Sequence, residues 1–512
     1  MTNEANKRIA KNTLLLYVRT LLMMLVSLYT SRVILNTLGE TDFGIYNIVG
    51  GVVVLFTFLN NALSSATQRY LTFELGRNNA DAVKRVFSMS MTVHFTIAIL
   101  LIFLAETLGL WFLNNKLNIP QERMTAANVV YQLSVLACCI QLIRIPYNAI
   151  IIAYEKMSFF AYISLFEAIL KLGLVLLLIL STFDRLIVYA ALMLFTAFFI
   201  TWLYKHYCSK HFKASLYSFF WDASLYKELM RFSGWSLLGT SADIAASQGV
   251  NIIINLFVGV LANTATGIST QVCSAVYSLV LNFQTAFKPQ IIKNYAANNL
   301  QGLYNLIFSS SKISFFLLYL FCLPLFLNTD FILHLWLGQT PLYAVGFTQW
   351  TLCCLLIDAM SAPLWMSAQA TGRIKGYQIL IALCLLLNLP IAYGLMEWGF
   401  SPIKVFIAKA LINMFTHFAR LFYLRKLIQL PAWSYTKQVM TRIASVTILS
   451  APLPLYLATH IEGWEKLILT TVTSSFMILI TVYLIGLTKS ERIFIKHTIK
   501  NKLHNNTCKQ SY

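Results

Sequence analysis

Runs of about 20 apolar residues, each long enough to cross a ~30 Å hydrocarbon layer as one helix, recur along this chain from Leu14 to Leu487. Fourteen such spans are predicted, at 10 to 36, 42 to 68, 86 to 113, 125 to 153, 158 to 181, 185 to 207, 229 to 258, 265 to 287, 307 to 328, 341 to 368, 377 to 396, 400 to 424, 440 to 460 and 464 to 487. A water-soluble core cannot absorb them. Of 512 residues 58% are hydrophobic and 11% charged, where roughly a quarter charged is usual for a soluble domain. The apolar surface must face lipid, and in lipid only structures that satisfy their own backbone hydrogen bonds survive. The expected fold is therefore an all-α polytopic membrane protein. The opening segment MTNEANKRIAKN is polar and basic, the apolar run behind it exceeds a signal-peptide core, and no small-residue cleavage site follows. It is expected to stay as the first span.

A net charge of +20 would suggest nucleic acid in a soluble protein. Here the cations instead collect in alternate connections, such as Arg77 with Lys84 and Arg85, Lys205 with Lys210, Arg425 with Lys426, and Lys489 with Arg492. The intervening connections hold only Lys116, Arg123, Arg185 and Lys466 among acids such as Glu40, Asp42, Glu122, Glu397 and Glu462. That alternation is the positive-inside rule, so both termini are expected in the cytoplasm, with an even number of spans and no nucleic-acid partner. The nine cysteines, including the adjacent pairs Cys138 with Cys139 and Cys353 with Cys354, lack metal-site spacing. No Gly-Lys-Ser/Thr nucleotide loop and no His-Glu-x-x-His motif occurs. Neither a cofactor nor a catalytic metal is expected, and any transport draws on another source of energy.

The chain repeats itself. A shift of 220 residues lays Gly39 on Gly259, Ala66 on Ala286 and Asn78-Asn79 on Asn298-Asn299, while a shift of 217 lays Pro146 on Pro363 and Ala153 on Ala370. A unit of six spans enters twice from the same side, so the halves are expected to be parallel and pseudo-symmetric. This divides the chain into a first half, 1–207 (spans one to six), a basic, aromatic and amphipathic cytoplasmic linker, 208–231, a second half, 232–426 (spans seven to twelve), two added spans within 427–487, and a basic cytoplasmic tail, 488–512.

Polar residues inside spans face a cavity or a neighbouring helix, because hydrocarbon offers them no partner. The eighth span carries Gln271, Ser274, Ser278 and Asn282 on one helical face, its counterpart the second carries Thr57, Asn61, Ser64 and Gln68, and the seventh carries Asp243, Ser247, Asn251 and Asn255. A shared polar cleft accounts for these stripes, with helix packing through Ser, Thr and Asn as the alternative for single residues. Arg19, Arg144, Lys171, Lys409 and Arg420 lie in or near the inner half of their spans, and Arg32 lies towards the outer end of the first. A cavity lined by such groups suits an anionic substrate group such as phosphate. Arg32 and Arg420 are equally placed to snorkel, and Lys171 to pair with Glu167 one turn away. Asp243 and Asp358 are the mid-membrane acids of the second half, and cation or proton sites are the functional reading of such carboxylates.

Leu38-Gly-Glu-Thr-Asp-Phe-Gly-Ile-Tyr46, Ala66-Thr-Gln-Arg69 and Ala370-Thr-Gly-Arg373, together with the plan of six, six and two spans, resemble the multidrug/oligosaccharidyl-lipid/polysaccharide (MOP) exporter superfamily, in particular its bacterial polysaccharide flippases (Wzx-like). The resemblance implies two six-helix lobes in a V that open alternately to the two sides of the inner membrane. It implies outward flipping of a polyprenyl-diphosphate-linked oligosaccharide for O-antigen, capsule or exopolysaccharide. The cationic cavity would hold the diphosphate, the chain would act as a monomer among membrane lipid, and polysaccharide polymerase or assembly proteins would be its partners. Na+ or H+ coupling at Asp243 and Asp358 is the further expectation it carries. Two rivals remain at this level. A multidrug exporter shares the superfamily, but its substrates are usually cationic and the first span has no acid between Lys7 and Gly39. A membrane glycosyltransferase or polymerase is suggested by the acid-x-acid Glu40-Thr41-Asp42, in a connection too short for a catalytic pocket.

Overall fold

The computed structural model describes residues 58–116, 119–178, 182–338, 340–489 and 491–493, and before them 15–16, 18–23, 25–26, 29–30, 33–34, 37–38, 42, 45–46 and 49. Among these residues every regular element is helical. In chain order they are α1 (Phe58–Gly76), α2 (Ala80–Asn115), α3 (Gln121–Ala153), α4 (Met157–Leu178), α5 (Arg185–His211), α6 (Ala223–Val258), α7 (Val260–Ala296) and α8 (Leu300–Leu327). The short α9 (Thr329–Leu337) is followed by α10 (Ala344–Thr371), α11 (Lys375–Glu397), α12 (Ile403–Leu427), α13 (Ala432–His460) and α14 (Gly463–Gly486). Eleven of them are long and apolar enough to cross a bilayer. At 37 residues α7 has the length, but its polar stripe keeps it out of that set.

Each predicted span from the third to the fourteenth coincides with a helix. The helices overrun the apolar runs by several residues at their polar ends, because backbone hydrogen bonding continues beyond the hydrocarbon. The overrun makes both ends of the 208–231 segment helical. Helix α5 continues to His211 and α6 starts at Ala223, leaving one 3-10 turn and an extended stretch between them. That stretch lies on α2, where the Tyr217 hydroxyl is 3.4 Å from Thr92 Oγ1 and the Ser218 amide donates to Ser88 Oγ at 3.4 Å. Phe219 and Trp221 project outward, 77% and 54% exposed. The opening segment 1–14, Glu40, Arg32, Thr57, the side chain of Asn61 and the tail beyond Ile493 lie outside the described residues.

The repeat is visible in backbone geometry. Asn78 and Asn298 both take left-handed φ values, 56° and 55°, and the Asn after each caps the next helix, Asn79 accepting from the Ala82 amide and Asn299 from the Gly302 amide, both at 3.0 Å. Asparagine tolerates this conformation better than most residues, so the pair Asn-Asn suffices for a turn that reverses the chain. The 217-residue shift is matched as well. Pro146 and Pro363 lie inside α3 and α10, and Glu155 and Gly372, just beyond the ends of those helices, have φ values of 59° and 75°.

Two large apolar clusters divide the same way. One gathers α1 to α5 around Phe87, Tyr131 and Leu142, and the other gathers α7, α8, α10 and α12 around Phe287, Leu364 and Tyr435. The added pair α13 and α14 packs on α8. Asn328 donates to Thr470 at 2.7 Å, and Lys312, 1% exposed, pairs with Glu491 at 3.0 Å. Thr488 and Glu491 form a reciprocal capping box, with the Thr488 amide 2.7 Å from the Glu491 carboxylate.

Candidate functional site

In the first half, a cavity of about 390 Å³ opens between the first span, α3, α4 and α5. Helical spacing aims its wall. Arg144 and Asn148 are one turn apart on α3, while Phe160, Ser164, Glu167 and Lys171 advance by four, three and four along α4. The first span contributes Arg19, Met23, Val26, Thr30 and Ile34, again one face, and α5 contributes Tyr204. Arg144 is nine residues from the end of α3, roughly 14 Å at 1.5 Å per residue, which places the cavity near the middle of a ~30 Å layer.

The charges are unequal. Arg144 Nη1 donates to Glu167 at 3.0 Å and Lys171 Nζ to the other Glu167 oxygen at 2.8 Å. The Arg19 guanidinium lies over the Phe160 ring at 4.6 Å, and its buried Nε has no hydrogen-bond partner among the described residues. The Asn148 carbonyl oxygen, in the same wall, is also buried without a partner. Three cations thus face one carboxylate, and two polar side chains await something to bond.

The second half holds a different constellation. Asp358 on α10 is half-buried, with Arg420, Asp243 and Lys409 as its charged neighbours, from α12 and α6. Tyr277 of α7 stands among Asp358, Arg420 and Asp243. His417, a turn before Arg420, is fully buried and its Nδ1 is 2.7 Å from Ser361 Oγ. Neither Asp243 nor Asp358 makes an ion pair or hydrogen bond among the described residues, and Arg420 Nε is buried without a partner. Two acids and two bases balance here. The expected single cationic cavity is therefore divided: Arg19, Arg144 and Lys171 stand together in the first half, and Lys409 and Arg420 stand with the acids in the second.

The polar stripes divide too. Gln271 and Ser274 line an open cleft of about 700 Å³ with Thr266, Thr270, Gln248, Asn251 and Asn255, between the end of α6 and the start of α7. Further along α7 the stripe turns to contacts within the protein. Asn282 donates to Thr20 of the first span at 2.7 Å, and Ser278 bonds its own helix at Ala275. Ser64 is half-buried and Gln68 buried on α1.

The end of the molecule that carries the basic turns is closed by contacts between the halves. Arg69, 4% exposed, donates through Nε and Nη2 to the Ala370 carbonyl at 3.3 and 3.1 Å. The φ of 75° at Gly372 favours glycine, and a Cβ there would stand 2.6 Å from Arg69 Nη2, so a side chain would have to displace the guanidinium from its place. Glu155 bonds Lys293 at 2.5 Å and Gln290 at 2.8 Å. Gly76 lies against Ala296, where a Cβ would come within 2.9 Å.

Sequence reasoning passed over Asn148, Tyr204 and Gln248. The signal for Asn148 was its place one turn from Arg144. Among the described residues no group of three or more His, Cys, Asp or Glu side chains is placed to hold a metal.

Residues 240–394 match the MatE family model. No curated protein matches the sequence. Solved structures share the fold at low identity. One is a point mutant of a MATE protein, with a TM-score of 0.73 at 13% identity over 85% of this chain and 97% of that one. A multidrug resistance MATE family transporter in an outward-facing conformation scores 0.72 at 13% identity over 83% and 96%. A MOP superfamily transporter from Pyrococcus furiosus, described by the reverse polarity of its binding pocket, scores 0.69 at 14% over 83% and 96%. This multi-pass chain thus has the fold of the MATE transporters of the MOP superfamily, with a MatE match over residues 240–394.

Proposed function

We propose that the protein flips a polyprenyl-diphosphate-linked oligosaccharide from the cytoplasmic to the periplasmic leaflet by alternating access, for assembly of a surface polysaccharide. The observation that carries this reading is the net positive first-half cavity, where the Arg19 Nε lacks a hydrogen-bond partner among the described residues and lies beside Arg144 and Lys171. A preformed, partly desolvated set of guanidinium and ammonium groups recognises phosphate oxygens and repels cationic drugs. The amide- and hydroxyl-lined cleft between α6 and α7 offers hydrogen-bond partners to sugar hydroxyls. The apolar tail remains in lipid.

In this reading the positive-inside rule puts the end closed by Arg69 and Glu155 on the cytoplasmic side, as an outward-facing state requires. Opening the cytoplasmic end requires the Arg69 and Glu155 contacts to break together. A diphosphate diester carrying about two negative charges gains roughly 4 to 5 kcal/mol per 100 mV on moving outward, so the membrane potential is one drive. Coupling at Asp243 and Asp358 is the other, and the proton fits better than Na+. Sodium needs several oxygen ligands and would meet Lys409 and Arg420, whereas a proton needs one carboxylate.

The test is mass spectrometry of polyprenyl-linked intermediates in a strain lacking the protein. Accumulation of one complete repeat unit is expected, restored to normal by the wild-type chain and not by Arg19→Ala. Normal intermediates with heightened drug sensitivity would move the assignment to multidrug efflux, the activity named for one fold relative. Of the acid-x-acid motif, Asp42 pairs with Arg123, which also holds Asp184 at 2.6 Å, and this inter-helix clamp gives that acid a structural role.

A further inference from the structure

Glu167 is the only carboxylate lining the first-half cavity among the described residues, and it occupies both of its cationic neighbours. Its two oxygens sit on different cations, Arg144 at 3.0 Å and Lys171 at 2.8 Å, as two phosphate oxygens would. Arg144 gives it a single N–H rather than the two-pronged fork that guanidinium offers a well-matched anion. Among the described residues nothing in the wall satisfies Arg19 Nε or the Asn148 side-chain oxygen. The cavity is therefore built for more acceptor oxygens than Glu167 provides, and for a ligand that also brings a donor to Asn148.

We propose that Glu167 is a resident competitor for the substrate's diphosphate: it holds Arg144 and Lys171 while the site is empty, yields them to the phosphates on loading, and reclaims them on release. The inference rests on the flippase reading and deepens it. With Glu167 present, three cations and one acid leave two positive charges, which a diphosphate diester neutralises and a phosphodiester, with one charge, does not. Without a competitor the site would hold three unmatched cations, bind the headgroup more tightly and let it go more slowly. Glu167 thus sets selectivity by charge and keeps release fast enough for turnover.

The experiment uses the full chain in lipid nanodiscs with two probes, a short-chain prenyl diphospho-hexose and the corresponding prenyl phospho-hexose. Wild type is expected to favour the diphospho probe. Glu167→Gln is expected to bind it about tenfold more tightly, since one opposing unit charge is removed, while flipping of the same probe in proteoliposomes slows by about tenfold. Glu167→Asp, which keeps the charge on a shorter arm, is expected to stay within about threefold of wild type in both. Tighter binding with slower flipping is a split that a purely structural ion pair does not produce. Equal or weaker binding by a folded Glu167→Gln protein overturns the proposal, and so does unfolding of Glu167→Gln, which would make the residue structural. If wild type binds neither probe, the flippase reading itself falls. If wild type binds and Glu167→Gln does not tighten, only the competitor role falls.

Discussion

The two halves share turn geometry but not charge. Asn78 and Asn298, or Glu155 and Gly372, occupy equivalent bends, while the first-half cavity has three cations against one acid and the second-half cluster has two against two. Backbone reversals recur because the same helices must be joined at the same ends. Charge in a cavity is free to diverge, since it answers to the ligand. Under the proposed flippase reading, the excess of cations is where the anion would rest and the balanced cluster is where charge would be exchanged internally.

The strongest consequences fall on the first half. Arg19→Ala or Arg144→Ala should cut export of the lipid-linked unit about 30-fold or more, because loss of a desolvated charge contact costs about 2 to 5 kcal/mol. Surface polysaccharide and accumulated intermediate measure it. If both variants export normally, the contrast between the halves has no functional meaning.

The added helices, which only the second half carries, supply the next test. Glu491→Gln leaves the buried Lys312 ammonium without its counter-charge, which should cost about 3 kcal/mol and lower the melting temperature of the purified protein. The effect should be pH-dependent in wild type. Burial works to raise the Glu491 carboxyl, but Lys312, Ser309 and the Thr488 amide together hold it below its usual range. Stability from a depressed acid is fully present above its unfolded value, about 4.3, and is lost as pH falls through the folded value. Melting from pH 7 to pH 3 should therefore show a loss below about pH 4 that Glu491→Gln lacks.

Asp358→Asn probes the balanced cluster and should slow export by about five- to tenfold, the range of one charge interaction near 1 kcal/mol in a polar cavity. It should also remove dependence on a pH gradient in proteoliposomes. Unchanged flipping with unchanged gradient dependence would leave the membrane potential as the drive.

The shared turns should respond least. Asn78→Ala and Asn298→Ala should each cost about 1 kcal/mol for a left-handed residue, while the glycine substitutions should be near neutral. Unequal costs measured by thermal unfolding would mean that the turns are not equivalent in load.

Much of the fold was legible because apolar length is a one-dimensional property. Predicted spans three to fourteen fell on helices, and the Asn-Asn repeat announced its own turn. The candidate site was legible residue by residue but not as groups. Arg19, Arg144 and Lys171 were recognisable as costly charges, yet Lys409 and Arg420 were equally so and stand elsewhere. Asn282, read as part of a cleft, bonds Thr20 instead.

The order of apolar runs along the chain was enough to make this a multi-span helical membrane protein, because helices satisfy their own backbone hydrogen bonds in hydrocarbon. Helix packing in three dimensions settled which cations share a cavity, that Glu167 bridges two of them, and that Arg69 and Glu155 close one end. Apart from Glu167 with Lys171, a pair one turn apart that helical spacing already offered, those are contacts between residues 23 to 301 positions apart, and partners across separate helices are set by packing, which no single stretch of sequence encodes.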